Sequence, residues 1–349
     1  MSVSLQEVSA VTKRTTAKAF VLESLGYDGL RERIRDVPRP EADQVLVRMR
    51  AASLNYRDLK ILKGIYARPP KLPVVLLSDG AGDVIEVGAA VATVKVGDRV
   101  MPIYMEGWYS GPMTDARDGW KSRGGDIDGT AIEYALLREC DVLPIPRSVS
   151  HEEAACLPCA AATAWHALVC VGQVKTGDTV LVMGSGGVAI FALQFAKIRG
   201  ARVIAISSDD AKLHRLVELG VSDGINYRDV SDWGAKARSL TGGRGVDHVI
   251  EVGGTGTIAE SIKATRDGGH IEIIGDLTGG FAPRGFAERG IRMSSIVVGS
   301  REMTANALRA IEAHGERPAI DSRHPFADLK EALRHLESGK HFGKVVITF

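Results

Sequence analysis

Hydrophobic and polar positions follow two different rhythms along this chain of 349 residues. From Ala17 to Pro146 the apolar runs are short and alternate with period two. Gln44-Val-Leu-Val-Arg-Met-Arg50 and Gly82-Asp-Val-Ile-Glu-Val-Gly88 are examples, punctuated by Gly, Pro and Asp. That pattern predicts half-buried strands. Gly97-Asp98-Arg99-Val100 predicts a turn into a strand. Residues 105–130 are rich in Gly and Asp, carry Trp108, Tyr109 and Trp120, and are read as a long loop. Loops of that length are commonly functional or mobile. Ser150 and Glu153 have the spacing of a capping box and predict a helix start. Beyond it the rhythm changes. Strands are predicted at Val180–Met183, Ala201–Ile206, Asp247–Val252 and His270–Ile274, each set off by a helical or mixed stretch. Repeated strand–helix units of this kind predict a doubly wound parallel sheet, an α/β fold. Ala327–Gly339 is read as helical, and Lys344–Phe349 as a closing strand that returns to the first domain.

Composition narrows the function classes without choosing one. Hydrophobic residues make up 45% and charged residues 25%, which is ordinary for a globular protein of two domains. A formal net charge of +1 supplies no field to recruit nucleic acid or a membrane surface, so neither is expected as a partner. No run of 18 apolar residues predicts a membrane span, and Met1–Lys18 lacks the apolar core of a secretion signal. Cys140, Cys156, Cys159 and Cys170 do not resemble a disulfide framework, so a reduced, cytoplasmic location is the expectation.

The most informative stretch runs from Asp178 to Lys197. An apolar strand leads into Gly184, Ser185, Gly186 and Gly187, and a helical pattern starts at Val188. Residues without side chains let a pyrophosphate approach the backbone, and the helix amides and dipole favour its charge. A glycine turn also joins strand to helix where no ligand binds, so the motif gains its force from its setting.

Three further blocks complete a resemblance. They are Ala52-Ser-Leu-Asn55-Tyr56-Arg57-Asp58, Ser78-Asp79-Gly80-Ala81-Gly82, and Leu157-Pro-Cys159-Ala-Ala-Ala-Thr163-Ala-Trp165. Together with the glycine turn they resemble the medium-chain dehydrogenase/reductase superfamily from about Ala17 to Phe349. The resemblance implies a GroES-like β-rich catalytic domain (17–155 and 301–349) after a flexible extension (1–16). It also implies a Rossmann domain (156–300), with the active site between the two domains. Zinc-dependent members carry Cys where this chain has Asn55 and His-Glu where it has Ser78-Asp79. Only Cys159 matches a ligand position, and the cysteines of the structural zinc lobe are missing. We therefore read the protein as zinc-free, similar to the quinone oxidoreductase branch, with Tyr66 pointing the same way. Cys156-Leu-Pro-Cys159 also has redox or zinc-motif spacing, but its alanine-rich setting favours packing.

The resemblance further implies the roles of individual residues. Ser207 and Ser208 stand where NAD-specific relatives place an acid, and Lys212 and Tyr227 match residues that hold the 2′-phosphate of NADPH. NADP(H) is therefore expected, with NAD(H) as the alternative; Asp209 and Asp210 are the opposing signal, and Lys212 also reads as an exposed helix lysine. Thr163 and Val188 are expected near the nicotinamide, Gly253 and Gly275 at strand ends facing the cofactor, and Lys344 near the pyrophosphate. Without a metal, charge developing on a substrate oxygen must be met by side chains. Asn55, Tyr56, Arg57 and Tyr66 are the candidates, and Arg57 with Asp58 also reads as a structural ion pair. The expected substrate is a small quinone, enone, ketone or aldehyde. A reversible alcohol dehydrogenase and a cofactor-binding protein without turnover are the competing readings. Met293–Gly299 has the character of an edge strand, and the resemblance implies a homodimer built on it.

Overall fold

The computed structural model describes residues 15–112, 119–275 and 285–349. Most of the expected N-terminal extension lies outside the described residues, and the first strand begins at Thr16. The chain forms two compact units. One comprises Met1–Cys159, Ser300–Ala305 and Ile320–Phe349, and the other Ala160–Gly299 and Asn306–Ala319.

The first unit is organised around strand Gln44–Ser53. Its alternating sequence turns Val45, Val47 and Met49 into a core with Val84, Val100 and Leu137. The strand belongs to a seven-stranded sheet, where it pairs antiparallel with Asp79–Val87, Tyr134–Arg138 and Lys344–Thr348. The closing strand thus returns to this unit, as its position after a helical tail predicts. A smaller sheet joins Leu30–Asp36, Thr16–Leu22 and Val74–Val75. Helix Tyr56–Leu62 follows the central strand at once. It buries Leu59, Ile61 and Leu62 against Phe20 and against Leu329, Leu333 and Leu336 of helix Leu329–Glu337. The segment read as one long loop is partly paired, because Met105–Glu106 runs antiparallel to Lys121–Ser122 and Trp108 stacks on Trp120 at 5.4 Å. Residues 113–118 of that segment lie outside the described residues.

The second unit is a six-stranded sheet whose neighbouring strands all run parallel. Counted in chain order its strands lie 3-2-1-4-5-6, the doubly wound order of dinucleotide-binding domains. Leu181, Ile204, Val249 and Ile271 fill one buried face. Among the described residues, strand Arg292–Ser295 lies at the sheet edge and pairs only with Thr265–Ile273. Residues 306–319 cluster with this unit, whereas the sequence reading assigned all of 301–349 to the first domain. The reason is local: the amide of Gln194 donates to Arg317 O at 2.7 Å, and Lys197 pairs with Glu316 at 3.1 Å.

Ser150 caps helix His151–Ala155 with the reciprocal Glu153 contact that the spacing predicts. The alanine-rich segment after it contains π-helical turns at Leu157–Ala161 and His166–Val171. Cys156 donates its thiol to Glu152 O, and burial pushes its pKa up to about 12. Burial also raises that of Cys159. Redox-active cysteine pairs depend on a lowered thiol pKa. The geometry here is that of packed thiols.

Candidate active site

Three adjacent strands of the first unit converge on one buried polar cluster. Ser53 lies opposite Asp79 on one side and Val346 on the other, so the residue after Ser53, the start of Asp79–Val87 and the start of Lys344–Thr348 meet. Lys344 Nζ donates to Leu54 O at 2.8 Å and to Asn55 Oδ1 at 2.6 Å, and lies 3.8 Å from Asp79 Oδ2. Asn55 Nδ2 donates to Ser78 Oγ at 3.3 Å, and Ser78 Oγ donates to Asp79 Oδ1 at 2.7 Å. The second oxygen of Asp79 accepts from the Cys159 amide at 3.1 Å. Every member is buried or nearly so, and each charge has an opposite partner, as a low-dielectric interior demands.

Arg57 forms the second half of the cluster. Asp58 closes the helix start by accepting from the Asn55 amide at 2.8 Å, and its other oxygen accepts from Arg57 Nη1 at 3.1 Å. Burial pushes the Asp58 carboxyl up to about 6 even though the Arg57 guanidinium pulls the other way. Arg57 Nη1 also donates to Arg123 O at 2.9 Å. The guanidinium carbon lies 5.4 Å from the ring centre of Tyr66 and 5.0 Å from that of Tyr104, within cation–π range. Tyr66 and Tyr104 bring their hydroxyls to 3.4 Å. Arg57 Nε and Nη2 are buried with no hydrogen-bond partner among the described residues. An orphaned pair of guanidinium donors costs free energy unless something supplies an acceptor. The ion pair expected of Arg57 and Asp58 is therefore present, and it leaves Arg57 with spare donors.

Of the four residues proposed for catalysis, Asn55, Arg57 and Tyr66 belong to this cluster, whereas the Tyr56 side chain is 68% exposed and does not. Lys344, expected near a cofactor, is bound to Asn55 and lies beside Asp79. Tyr104 and Arg123 were missed. Arg123 lies within the segment read as a loop, and Tyr104 just ahead of it, after strand Arg99–Pro102, with no motif around either.

The second unit carries the dinucleotide features. Strand Thr179–Met183 ends at Gly184, whose φ of +73° suits a residue without a Cβ. A Cβ built at Gly184 or Gly186 would meet nothing within 4 Å, so open space lies over the turn. Gly186 precedes helix Gly187–Ile198 and offers no side chain to its first amides, which leaves them for an anion. Ser185 is buried and Val188 partly buried in this turn; Thr163 is buried in Ala162–Trp165. At the end of the neighbouring strand, Ser207 is buried, Ser208 partly buried, and Tyr227 N donates to Ser207 O at 3.0 Å. The Tyr227 residue is 43% exposed and Lys212 partly so. Asp209 caps its own helix, accepting from the amides of Ala211 at 2.8 Å and Lys212 at 3.2 Å, and Asp210 accepts from Asn226 at 2.9 Å. Gly253 donates its amide to the buried carboxylate of Glu251, which also accepts from Gly254, Thr257 and Ser261. A Cβ on Gly275 would stand 2.5 Å from Val252 O, so close backbone packing alone accounts for that glycine.

Comparison with known proteins agrees with both units. The family described as alcohol dehydrogenase GroES-like domain matches residues 41–147, and that described as zinc-binding dehydrogenase matches residues 187–313. A zinc-type alcohol dehydrogenase-like protein of Schizosaccharomyces pombe is 41% identical over 335 residues, covering 93% of this chain and 96% of that one. An acryloyl-coenzyme A reductase of Metallosphaera sedula is 31% identical over 332 residues, covering 90% and 96%. The crystal structure of a putative alcohol dehydrogenase from Sinorhizobium meliloti 1021 superposes with a TM-score of 0.89 at 38% identity, covering 96% of this chain and 99% of that one.

Proposed function

The chain belongs to the medium-chain dehydrogenase/reductase superfamily and is an NAD(P)-dependent oxidoreductase, and from that premise we propose that it works without a catalytic zinc, with NADP(H), on a small conjugated or simple carbonyl compound. The observation that carries this reading is the Lys344 ammonium bound to Asn55 and set beside Asp79. A catalytic zinc takes three protein ligands of Cys, His or carboxylate type. Here the region offers an amide, a hydroxyl, a carboxylate already bonded through both oxygens, and a single thiol whose pKa burial raises. That donor set does not fit zinc. A fixed ammonium supplies the positive charge instead.

The dinucleotide cofactor fits the second unit, because the open glycine turn and the uncapped helix amides match a pyrophosphate. Bound there, the cofactor supplies or accepts the hydride. The residues of the first unit meet the charge on the substrate oxygen. Asn55 Nδ2 donates, Arg57 brings the N–H groups that have no partner among the described residues, and Tyr66 holds the proton to be transferred. The acryloyl-coenzyme A reductase relative supports a conjugated carbonyl substrate, and the alcohol dehydrogenase-like relatives support the reversible alcohol reaction as a second reading.

The NADP(H) preference rests on the adenosine end. Ser207 lacks the acid that would repel a 2′-phosphate, and the Asp209 carboxylate is committed to its helix amides. NADPH is therefore expected to bind more tightly than NADH. Lys212→Ala should weaken NADPH alone by roughly 10- to 150-fold, the equivalent of the roughly 1.5–3 kcal/mol of a charge-assisted phosphate contact. Fluorescence titration giving equal affinities for the two cofactors in the unmodified protein would overturn the preference.

The decisive assay is NADPH oxidation against quinones, enones, ketones and aldehydes, run after dialysis against a strong chelator. Turnover with at least one class, undiminished by the chelator, is the expected result. Tight cofactor binding with no turnover on any class would favour a binding protein, and activity restored only by added zinc would refute the metal-free mechanism.

A further inference from the structure

Two histidines and a glutamate share one buried face of the six-stranded sheet. In the parallel register His248 lies opposite His270, and Ile250 lies opposite Glu272. The period-two pleat puts His270 and Glu272 on the same face. His248 Nδ1 is 2.9 Å from Glu272 Oε1, and His270 Nδ1 is 3.4 Å from the same oxygen. One ligand atom from each of the three lies within 4.8 Å of the others, and all three side chains are at least nine-tenths buried.

The cluster does not close on itself. Among the described residues, His270 Nδ1 and Glu272 Oε2 are buried without a hydrogen-bond partner. The outward nitrogens, by contrast, are occupied. His248 Nε2 faces Asp178 Oδ2 at 3.4 Å, and His270 Nε2 bonds Ser294 Oγ at 2.9 Å. Metal-binding histidines show this pattern, with the non-coordinating nitrogen held by a carboxylate or other polar group. His270 Nδ1 thus faces a carboxylate oxygen at 3.4 Å without hydrogen-bonding it. A buried imidazole nitrogen and a buried carboxylate oxygen left without partners are groups that a cation would satisfy.

We propose that His248, His270 and Glu272 bind one divalent transition-metal ion, with Asp178 and Ser294 orienting the two imidazoles. Ligands about 2.0–2.1 Å from a tetrahedral ion stand roughly 3.3–3.4 Å apart, and the two separations from Glu272 Oε1, 2.9 and 3.4 Å, lie close to that edge. Charge also balances. Glu272 and Asp178 together offset the two charges of a dication, and Arg292 sits at an exposed strand position where water screens its charge. Gly172 keeps the space clear, since a Cβ there would stand 2.7 Å from Glu272 Oε1. The ion would tie strand Val246–Glu251 to strand Thr265–Ile273. No residue of the Asn55–Asp79 cluster takes part, so the missing family zinc cysteines have no bearing on it.

The test uses the full chain, dialysed against a chelator and titrated with Co²⁺. One equivalent should bind with the visible absorption of a tetrahedral nitrogen–oxygen site, and the ion should raise the melting temperature. Glu272→Gln and His270→Gln should each weaken binding by more than about a hundredfold, and Asp178→Asn by about tenfold, the range of outer-partner losses. Cys159→Ser should leave binding intact. No tetrahedral signal from the unmodified chain overturns the proposal without recourse to any variant. Binding that survives His270→Gln, or that disappears with Cys159→Ser, overturns it as well.

Discussion

Asn55→Ala is expected to lower kcat on the order of a hundredfold while leaving the dissociation constant of NADPH nearly unchanged. Asn55 offers an amide N–H from a side chain whose oxygen is already fixed by Lys344 at 2.6 Å, so the donor is oriented before any substrate arrives. A preoriented donor acts mostly in the transition state, and its loss reduces kcat and kcat/KM together. Tyr66→Phe should reduce turnover in the same manner, because it removes only the hydroxyl and retains the ring against Arg57. Steady-state kinetics with parallel cofactor titration separates this role from packing. If both variants keep near-normal kcat and differ only in melting temperature, the two side chains are structural.

Lys344→Met should destabilise the protein by about 3–5 kcal/mol, the usual cost of removing one partner from a buried charge cluster. The methionine would leave Leu54 O and Asn55 Oδ1 without their donor and Asp79 without its nearest cation. Urea denaturation should show an earlier transition with unchanged slope. The variant also separates two views of this lysine. A residue that chiefly held the cofactor pyrophosphate would lose NADPH affinity and little stability, whereas the cluster member described above loses stability first. A shift below about 1 kcal/mol would refute the network reading.

The sequence pattern reached the architecture further than it reached the contacts. Period-two runs such as Gln44–Arg50, the capping pair Ser150–Glu153 and the glycine turn at Gly184 are local signals, and each element stands where its signal lies. The position of Lys344 was beyond such signals. It depends on the register of the closing strand against Ser53, and register is set by the whole sheet. His248, His270 and Glu272 were hidden for a related reason. Each interrupts an apolar run that reads as an ordinary buried strand, and only the alignment of two such strands brings the three together. The π-helical turns between Leu157 and Val171 also left no mark, since an alanine-rich run has the same composition in either helix type. Asp209 shows the converse. Its acidic character was legible, but whether it faced a ribose or its own helix was decided by cap geometry.

The bond between Lys344 and Asn55 spans 289 residues of sequence. On a ribosome adding roughly 5–20 residues per second, Asn55 waits roughly 15–60 s for its partner. Asp79 waits almost as long for its nearest cation. Throughout that interval the strand Gln44–Ser53 lacks the neighbour that covers its Ala51–Ser53 end. The six-stranded sheet faces no such delay, because its strands all lie between Thr179 and Ser295. The nascent chain therefore completes its six-stranded sheet first, and carries an unfinished seven-stranded sheet, with an open edge, as the region that chaperones must shield longest.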